Sequence, residues 1–367
     1  MIYERLTCRL CGDRVRPVFA LTPTPIANAF PARPDAGAER YRLELAQCRA
    51  CAHVQVRDVV PDALLYADYR YETPAALAPE LAGRARALRR AYPQARRVLE
   101  IGSNNGLFLD ALLDAGFDAF GIDPAAPPQA KNAIRASFGA EVAANLGAFD
   151  LVLANNVLAH IDDLDDVFRG IERVLAWDGA LVFEVQYFPA LVASGAFDMI
   201  YHEHRDYHTV APLKAFLRRY DLRMTRADMI PEHGGSVRIT ADRGDLELWG
   251  PSEAPIDWSA FAERVNAAKA ALLEQLDGCA PVVAFGATAK ACTLIHHFGI
   301  ADRIAHCVDS TPAKQGRYIA GTDIQIRGMD ALPADGARIL LTAWNHAEII
   351  KRKYPQFDYI EPFKEIA

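Results

Sequence analysis

Residues 96–106 read RRVLEIGSNNG, and residues 107–123 continue LFLDALLDAGFDAFGID. The apolar stretch Val98-Leu99-Glu100-Ile101 has the composition of a buried strand, and it runs into a glycine turn. LFLDALLDAG then reads as a helix with Gly116 at its C-terminal cap. FDAFGID is a second strand, and Asp123 stands 21 residues beyond Gly102. A strand, glycine turn, helix, strand and acid in that order can hold an adenosine ribose through the acid while a ligand lies close to the glycine backbone. Working outward, FDLVLANNVLAHI (149–161) reads as a fourth strand, DVFRGIERVL (166–175) as a helix and GALVFEVQYF (179–188) as a fifth strand. The alternation predicts an α/β fold around a doubly wound parallel sheet. The acidic run Asp162–Asp166 reads as a solvated helix N-terminus, favoured by the helix dipole.

Two ligands compete for the glycine turn. A dinucleotide wants G-x-G-x-x-G, because its pyrophosphate needs backbone contact at the second glycine. Here Asn104 stands at that position. The spacing E-x-G-x-x-x-G, from Glu100 to Gly106, instead resembles motif I of class I S-adenosylmethionine (AdoMet) methyltransferases. AdoMet carries a ribose but no pyrophosphate.

Composition bounds the rest. The chain has 367 residues, enough for two or three domains, and 51% hydrophobic with 24% charged residues is the make-up of a globular protein. A net charge of −7 without a Lys/Arg block argues against a nucleic-acid partner. Apolar runs stop short of the roughly 18 residues of a membrane span. MIYERLTCRLCG lacks the apolar core of a signal peptide, so a cytoplasmic protein with no membrane partner is expected.

Seven cysteines in a reducing compartment need a reason other than disulfides. Cys8/Cys11 and Cys48/Cys51 form two C-x-x-C pairs, and four such sulfurs complete a tetrahedral zinc shell with no open position. A redox motif would need one pair in a βαβ setting, and neither condition fits. The loop between the pairs, TPTPIANAFPARPD (22–35), reads as extended and proline-broken. Cys279, Cys292 and Cys307 read as small buried hydrophobes.

FDMIYHEHRDYHT (197–209) is the least globular-looking stretch. It reads either as general acid/base machinery, as a polar surface loop, or as a metal site from His202, His204 and His208. It is not H-E-x-x-H, since position 206 is Asp. HGGSVRI (233–239) supplies a glycine turn and Arg238, suited to an anion or a sugar hydroxyl, or simply a hairpin. APVVAFGATAKACTLIHHF (280–298), IAHCVDS (304–310) and GARILLTAWNH (336–346) repeat the strand and glycine-turn pattern. There Gly286 with Lys290 could serve phosphate binding, packing or a nucleotide cofactor, an NAD domain included.

In order, CRLCG…CRAC, PIAN, EIGSNNG, NNVLAHI, YHEHRDY, HGGSVR, AFGATAK, VDSTPAKQGRY and AWNHAEII resemble the AdoMet-dependent sugar C-methyltransferases of deoxysugar biosynthesis. The resemblance implies a zinc-binding domain over 1–60, an AdoMet domain over 61–240 and a Rossmann-like domain over 241–367. It implies methylation of the carbon next to the ketone of a nucleotide-linked keto-deoxysugar, with dTDP as the nucleotide, by a monomer or weak dimer. His204 would be the general base, with Tyr201 and Glu203 beside it and Asn156, His160 and Tyr71 facing the same pocket. Glu100, Gly102, Asn104, Gly106, Asp123 and Asn155 would contact the cofactor. Tyr69, Arg238 and Lys290 would contact substrate, and Cys8, Cys11, Cys48 and Cys51 would hold zinc. The chain departs from the family pattern at Asn105, usually Asp, and in AFGATAK, usually AYGAxAKG.

Overall fold

A computed structural model describes residues 2–67, 72–128, 130, 132–246, 253–278 and 280–363. Strands β1 (Val15–Thr24), β2 (Tyr41–Cys48) and β3 (Val54–Val56) open the chain. The stretch read as a proline-broken loop therefore begins inside a strand, since Thr22, Pro23 and Thr24 belong to β1. Helix α1 (Ala78–Ala91) leads into β4 (Arg97–Ile101), α2 (Leu107–Asp114), β5 (Asp118–Ile122), β6 (Ala133–Ile134) and β7 (Phe149–Asn155). Then follow α3 (Leu164–Val174), β8 (Leu175–Gln186), β9 (Asp206–Tyr207), α4 (Val210–Leu217), β10 (Arg223–Ile230) and β11 (Ser236–Asp242). The last third holds α5 (Trp258–Leu276), β12 (Val282–Phe285), α6 (Ala289–Phe298), β13 (Ile304–Val308), β14 (Ile326–Arg327), β15 (Arg338–Leu341) and β16 (Asp358–Ile360).

The central sheet has seven strands in the order β10-β11-β8-β7-β4-β5-β6. Strands β8, β7, β4, β5 and β6 are parallel, and β11 runs antiparallel against both β8 and β10. This is the class I methyltransferase sheet. Val98, Leu99 and Ile101 are buried on both faces of it, which is why VLEI reads as an unbroken apolar run. The strand order reverses at β4, so a crevice opens at the carboxyl ends of β4 and β7. Glycine is needed at that turn: Gly102 has φ +79°, and a Cβ there would stand 2.9 Å from the Val157 side chain.

The C-terminal sheet is all parallel, β14-β13-β12-β15-β16, a second Rossmann-like unit. Its glycine turn is closed by the protein itself. A Cβ on Gly286 would meet the Ala343 Cβ at 2.5 Å, and Asp309 accepts the Ala287 N–H at 2.8 Å.

The N-terminal sheet is antiparallel in the order β9-β3-β2-β1, so its edge strand comes from residues 206–207 of the polar cluster. One apolar core unites Leu21, Phe30 and Leu43 with Phe197 and Ile200 and with Leu294 and Phe298 of α6. The three parts of the chain thus meet around residues 197–208. Cys292 and Cys307 are buried as expected, and Cys279 lies outside the described residues.

Candidate active site

Of the three readings of residues 197–209, the polar surface loop fails, because the segment is interior. His202, Glu203, Arg205, Asp206 and His208 are at most 2% exposed. Burial is possible because the charged groups find partners, as buried charges must. Asp206 accepts hydrogen bonds from Arg9 Nε at 2.9 Å and His53 Nε2 at 2.8 Å, and Arg205 donates to the carbonyls of His160 and Val60. His202 donates to the Arg42 carbonyl at 3.3 Å. The three histidines do not converge on one point: the metal-ligand cluster found among the described residues is the cysteine one.

His204 has a defined tautomer. Its Nδ1 lies 3.1 Å from the Met199 carbonyl, which only accepts, so Nδ1 carries the proton. Nε2 then offers a lone pair, and the Tyr201 hydroxyl donates to it at 2.6 Å. Burial, reinforced by the nearby His160, His233 and Lys290, holds the His204 pKa well below 6.5. The His160 ring packs edge-on at 4.8 Å between centroids, and burial pushes its own pKa down to about 4. Glu203 accepts from the Asn28 backbone and side-chain N–H groups at 3.3 and 3.1 Å, while its Oε2 is buried without a partner. Burial raises its pKa.

Lys290 closes this region from the C-terminal unit. Its ammonium donates to Asn345 Oδ1 and lies 4.8 Å above the Trp344 ring. Trp344 donates in turn to the fully buried Asp198 at 2.8 Å. Burial lowers the Lys290 pKa and raises that of Asp198. Lys290 thus meets Asn345 and Trp344 of its own unit, while its charge acts on Asp198 and His204. Arg238 pairs with buried Glu184 at 2.6 Å, and Arg84 of α1 pairs with the same carboxylate at 2.5 Å while also donating to Asn155 Oδ1. Asn156, next to it, adopts φ +52° at the end of β7. Tyr69 and Tyr71 lie outside the described residues.

The crevice residues fit AdoMet. Gly106 has φ +87° with nothing within 4 Å of its Cβ position, which leaves room above the turn. Below it the Glu100 carboxyl is buried with Oε2 unpartnered, and burial pushes its pKa up to about 8. Asp123 stands at the mouth, accepting from Asn104 N at 2.9 Å and Ala125 N at 2.6 Å. Asn104 accepts the Thr73 N–H, and the Asn105 amide donates to the Thr73 carbonyl at 3.0 Å. A carboxylate at 105 could not make that second bond.

The four cysteines also fit their ion. Sulfurs about 2.3 Å from one tetrahedral zinc stand about 3.8 Å apart. Here the Sγ atoms all lie within 4.8 Å, with Cys8–Cys51 at 3.6 Å and Cys11–Cys48 at 3.4 Å. The acidic run is not merely solvated. Asp163 caps α3, but Asp162 pairs with Arg9 and Arg5, and Asp165 takes Arg219 and Tyr220. Neighbouring basic side chains reach it from the N-terminal region and from residues just after α4.

Residues 8–66 match a zinc binding domain family, 66–227 a methyltransferase domain and 251–360 a C-methyltransferase C-terminal domain. The C-methyltransferase NovU of Streptomyces niveus is 30% identical over 94% of this chain and 91% of its own. The chain belongs to the AdoMet-dependent C-methyltransferases. Among solved structures, the mitomycin 7-O-methyltransferase MmcR is 18% identical at TM-score 0.34, covering 46% of this chain and 55% of that one, so the chain spans about half of its length. The N-methyltransferase NodS of Bradyrhizobium japonicum is 14% identical at TM-score 0.34, over 46% and 96%.

The sequence reading of this C-methyltransferase passed over several groups at the site. Asn28 was visible as part of PIAN but without a task, and the structure places it on Glu203. Asp198, Trp344, Arg84 and Glu184 carried no local signal, because each acquires its partner from more than 50 residues away.

Proposed function

We propose that this C-methyltransferase acts on a nucleotide-linked keto-deoxysugar, dTDP-linked by family resemblance, and methylates the carbon next to the ketone after base-catalysed enolisation. The observation that carries the reading is the Tyr201–His204 pair, a phenol donating at 2.6 Å to an imidazole whose other nitrogen is locked on a carbonyl. A base for a carbon acid must be unprotonated at working pH, and burial keeps His204 neutral.

In this reading the Tyr201–His204 pair acts as one base. The α proton leaves carbon and the transferred proton ends on His204 Nε2, while the C–H electron pair becomes the enolate double bond. Glu203, whose pKa burial raises, and Lys290, brought in from the C-terminal unit, are the groups proposed to contact sugar and enolate oxygens; preorganised donors there are worth roughly 3–4 kcal/mol each. Asn156 and His160 line the same wall. Asp123 and the Gly102–Gly106 turn would hold AdoMet, which would supply the electrophilic methyl carbon for the enolate carbon, with its sulfur leaving as S-adenosylhomocysteine.

The test is incubation with AdoMet and a panel of nucleotide-linked 4-keto sugars, followed by mass spectrometry. The expected product is heavier by one CH2, with the new methyl on carbon. Methylation on oxygen or nitrogen would overturn the enolisation mechanism, and failure across the whole panel would overturn the substrate class.

A further inference from the structure

Arg9 stands between two zinc ligands, Cys8 and Cys11, yet its guanidinium works elsewhere. The side chain is 2% exposed. Its Nε donates to Asp206 at 2.9 Å. One terminal nitrogen donates to the Asp162 carboxylate at 3.1 Å, and the other to the carbonyls of Ile161 and Asp162. Ile161 follows His160 directly, and Asp206 stands two residues after His204. A single planar cation thus ties together the two chain segments that carry the facing imidazoles.

The second pair of cysteines contributes to the same knot. His53, two residues beyond Cys51, donates to the other oxygen of Asp206 at 2.8 Å. The Arg9 backbone N–H bonds Gln55 Oε1 at 2.9 Å, which fixes the loop from which the guanidinium projects. On the opposite side, Arg205 holds the His160 turn through its backbone N–H to the Ala159 carbonyl at 2.7 Å and its guanidinium to the His160 carbonyl at 2.9 Å.

We propose that Arg9 is a positioning residue for the active site: through it the zinc knuckle sets the spacing of His160 and His204. Zinc is then required for the order of the proposed base, and not only for the fold of the first sixty residues. The fork matters as much as the charge. A guanidinium presents donors in a fixed plane to several acceptors, whereas a lysine ammonium at the same place is a point charge. The consequence for turnover rests on the enolisation reading. The consequence for segment order does not.

The experiment uses the full zinc-loaded chain with Arg9→Met, Arg9→Lys and Asp162→Asn. Zinc content, hydrogen exchange of segments 158–162 and 201–208, and affinity for S-adenosylhomocysteine are measured for each. Arg9→Met should keep its zinc and bind S-adenosylhomocysteine within about twofold of wild type. Its exchange in both segments should rise at least about tenfold, since a local opening becomes easier when a buried charge loses its partner. Arg9→Lys should restore protection to 201–208 more than to 158–162. Should Arg9→Met not fold, Asp162→Asn decides: its carboxylate is partly exposed, and exchange should rise in 158–162 alone. Chelating zinc from wild type should raise exchange in both segments. Zinc-loaded variants whose two segments exchange like wild type overturn the proposal. On an accepted keto sugar, kcat should fall by at least about tenfold in Arg9→Met with KM for AdoMet unchanged. Wild type that methylates no ketone sinks the enolisation reading and leaves the exchange result standing.

Discussion

Asp123, proposed to meet the AdoMet ribose, is also tied into the fold. From sequence it is an acid at a strand end, free to meet a ribose. In the structure both of its oxygens also accept backbone N–H groups, from Asn104 and Ala125. Asp123→Ala should therefore weaken AdoMet by about 1–3 kcal/mol, the cost of losing charge-assisted hydrogen bonds, and also loosen the turn. Asp123→Asn retains one acceptor oxygen and should loosen it less. Titration calorimetry together with melting curves separates the two effects, and an alanine variant that binds AdoMet normally would remove Asp123 from the cofactor site. At the proposed base, His204→Ala should lose about 10²–10⁴-fold in methylation rate. Tyr201→Phe should lose a similar amount, and the double variant little more, because residues acting as one unit are not additive. A double variant whose loss is the product of the two would show that they act separately. The candidates in YHEH were legible as residue types at a spacing. Their tautomers, and the service of Asn28 to Glu203, were not, because they depend on groups 5 to 175 positions away.

At the scale of elements, β4, β5, β7 and β8 of the central sheet were legible because burial on both faces leaves a nearly pure apolar run, as in β4 and β7. β6 and β10 were not, and the strand read over 149–161 ends at Asn155. Helices α1 and α5 were not anticipated. α1 buries only Ala85, so its sequence carries little apolar periodicity to read. The glycine turn between β4 and α2 permits a paired test. Gly102 and Gly106 both take positive φ, so alanine at either costs roughly 1–2 kcal/mol of backbone strain. At Gly102 the added carbon must also displace Val157, whose Cβ and Cγ2 are 2.9 Å away, whereas at Gly106 it enters open space. Gly102→Ala should thus lower the melting temperature more than Gly106→Ala. Gly106→Ala should instead act on AdoMet affinity, since the open space is where AdoMet is proposed to lie. Equal melting temperatures would mean that Val157 yields without cost.

At the scale of the molecule, a linear division into zinc, methyltransferase and Rossmann-like blocks describes the sequence better than the energetics. Strand β9 from the middle of the chain completes the N-terminal sheet, and α6 shares a core with β1 and β2. Sequence periodicity reports which faces are apolar but not which distant face covers them, so this sharing was not legible. Its result is an interior unusually rich in titratable groups, and their burial sets a pH dependence. His160, His202 and His233 are pushed down to about 4, His208 to about 3, and His204 well below its usual value, all chiefly by burial. Unfolded, each titrates near 6.5. Between about pH 6.5 and 4 the unfolded chain therefore binds more protons, so the stability these groups allow is complete above about 6.5 and lost as pH falls. Buried acids work in the opposite sense. Glu100 is raised to about 8, and Asp198 and Glu203 are also raised, so the folded state binds the extra protons and stability declines as pH rises towards 8. These five histidines, with His296, His297 and His346 also lowered by burial, outweigh the three acids below about pH 6.5 and place the maximum near that pH. The check is the denaturant midpoint from pH 5 to 8.5 without AdoMet and with excess zinc, so that proton competition for the thiolates does not intrude. Glu100→Gln, which cannot ionise, should flatten the alkaline limb while leaving the acid limb in place. Stability that rises steadily from pH 5 to 8.5 would mean that these groups do not titrate as a buried interior requires.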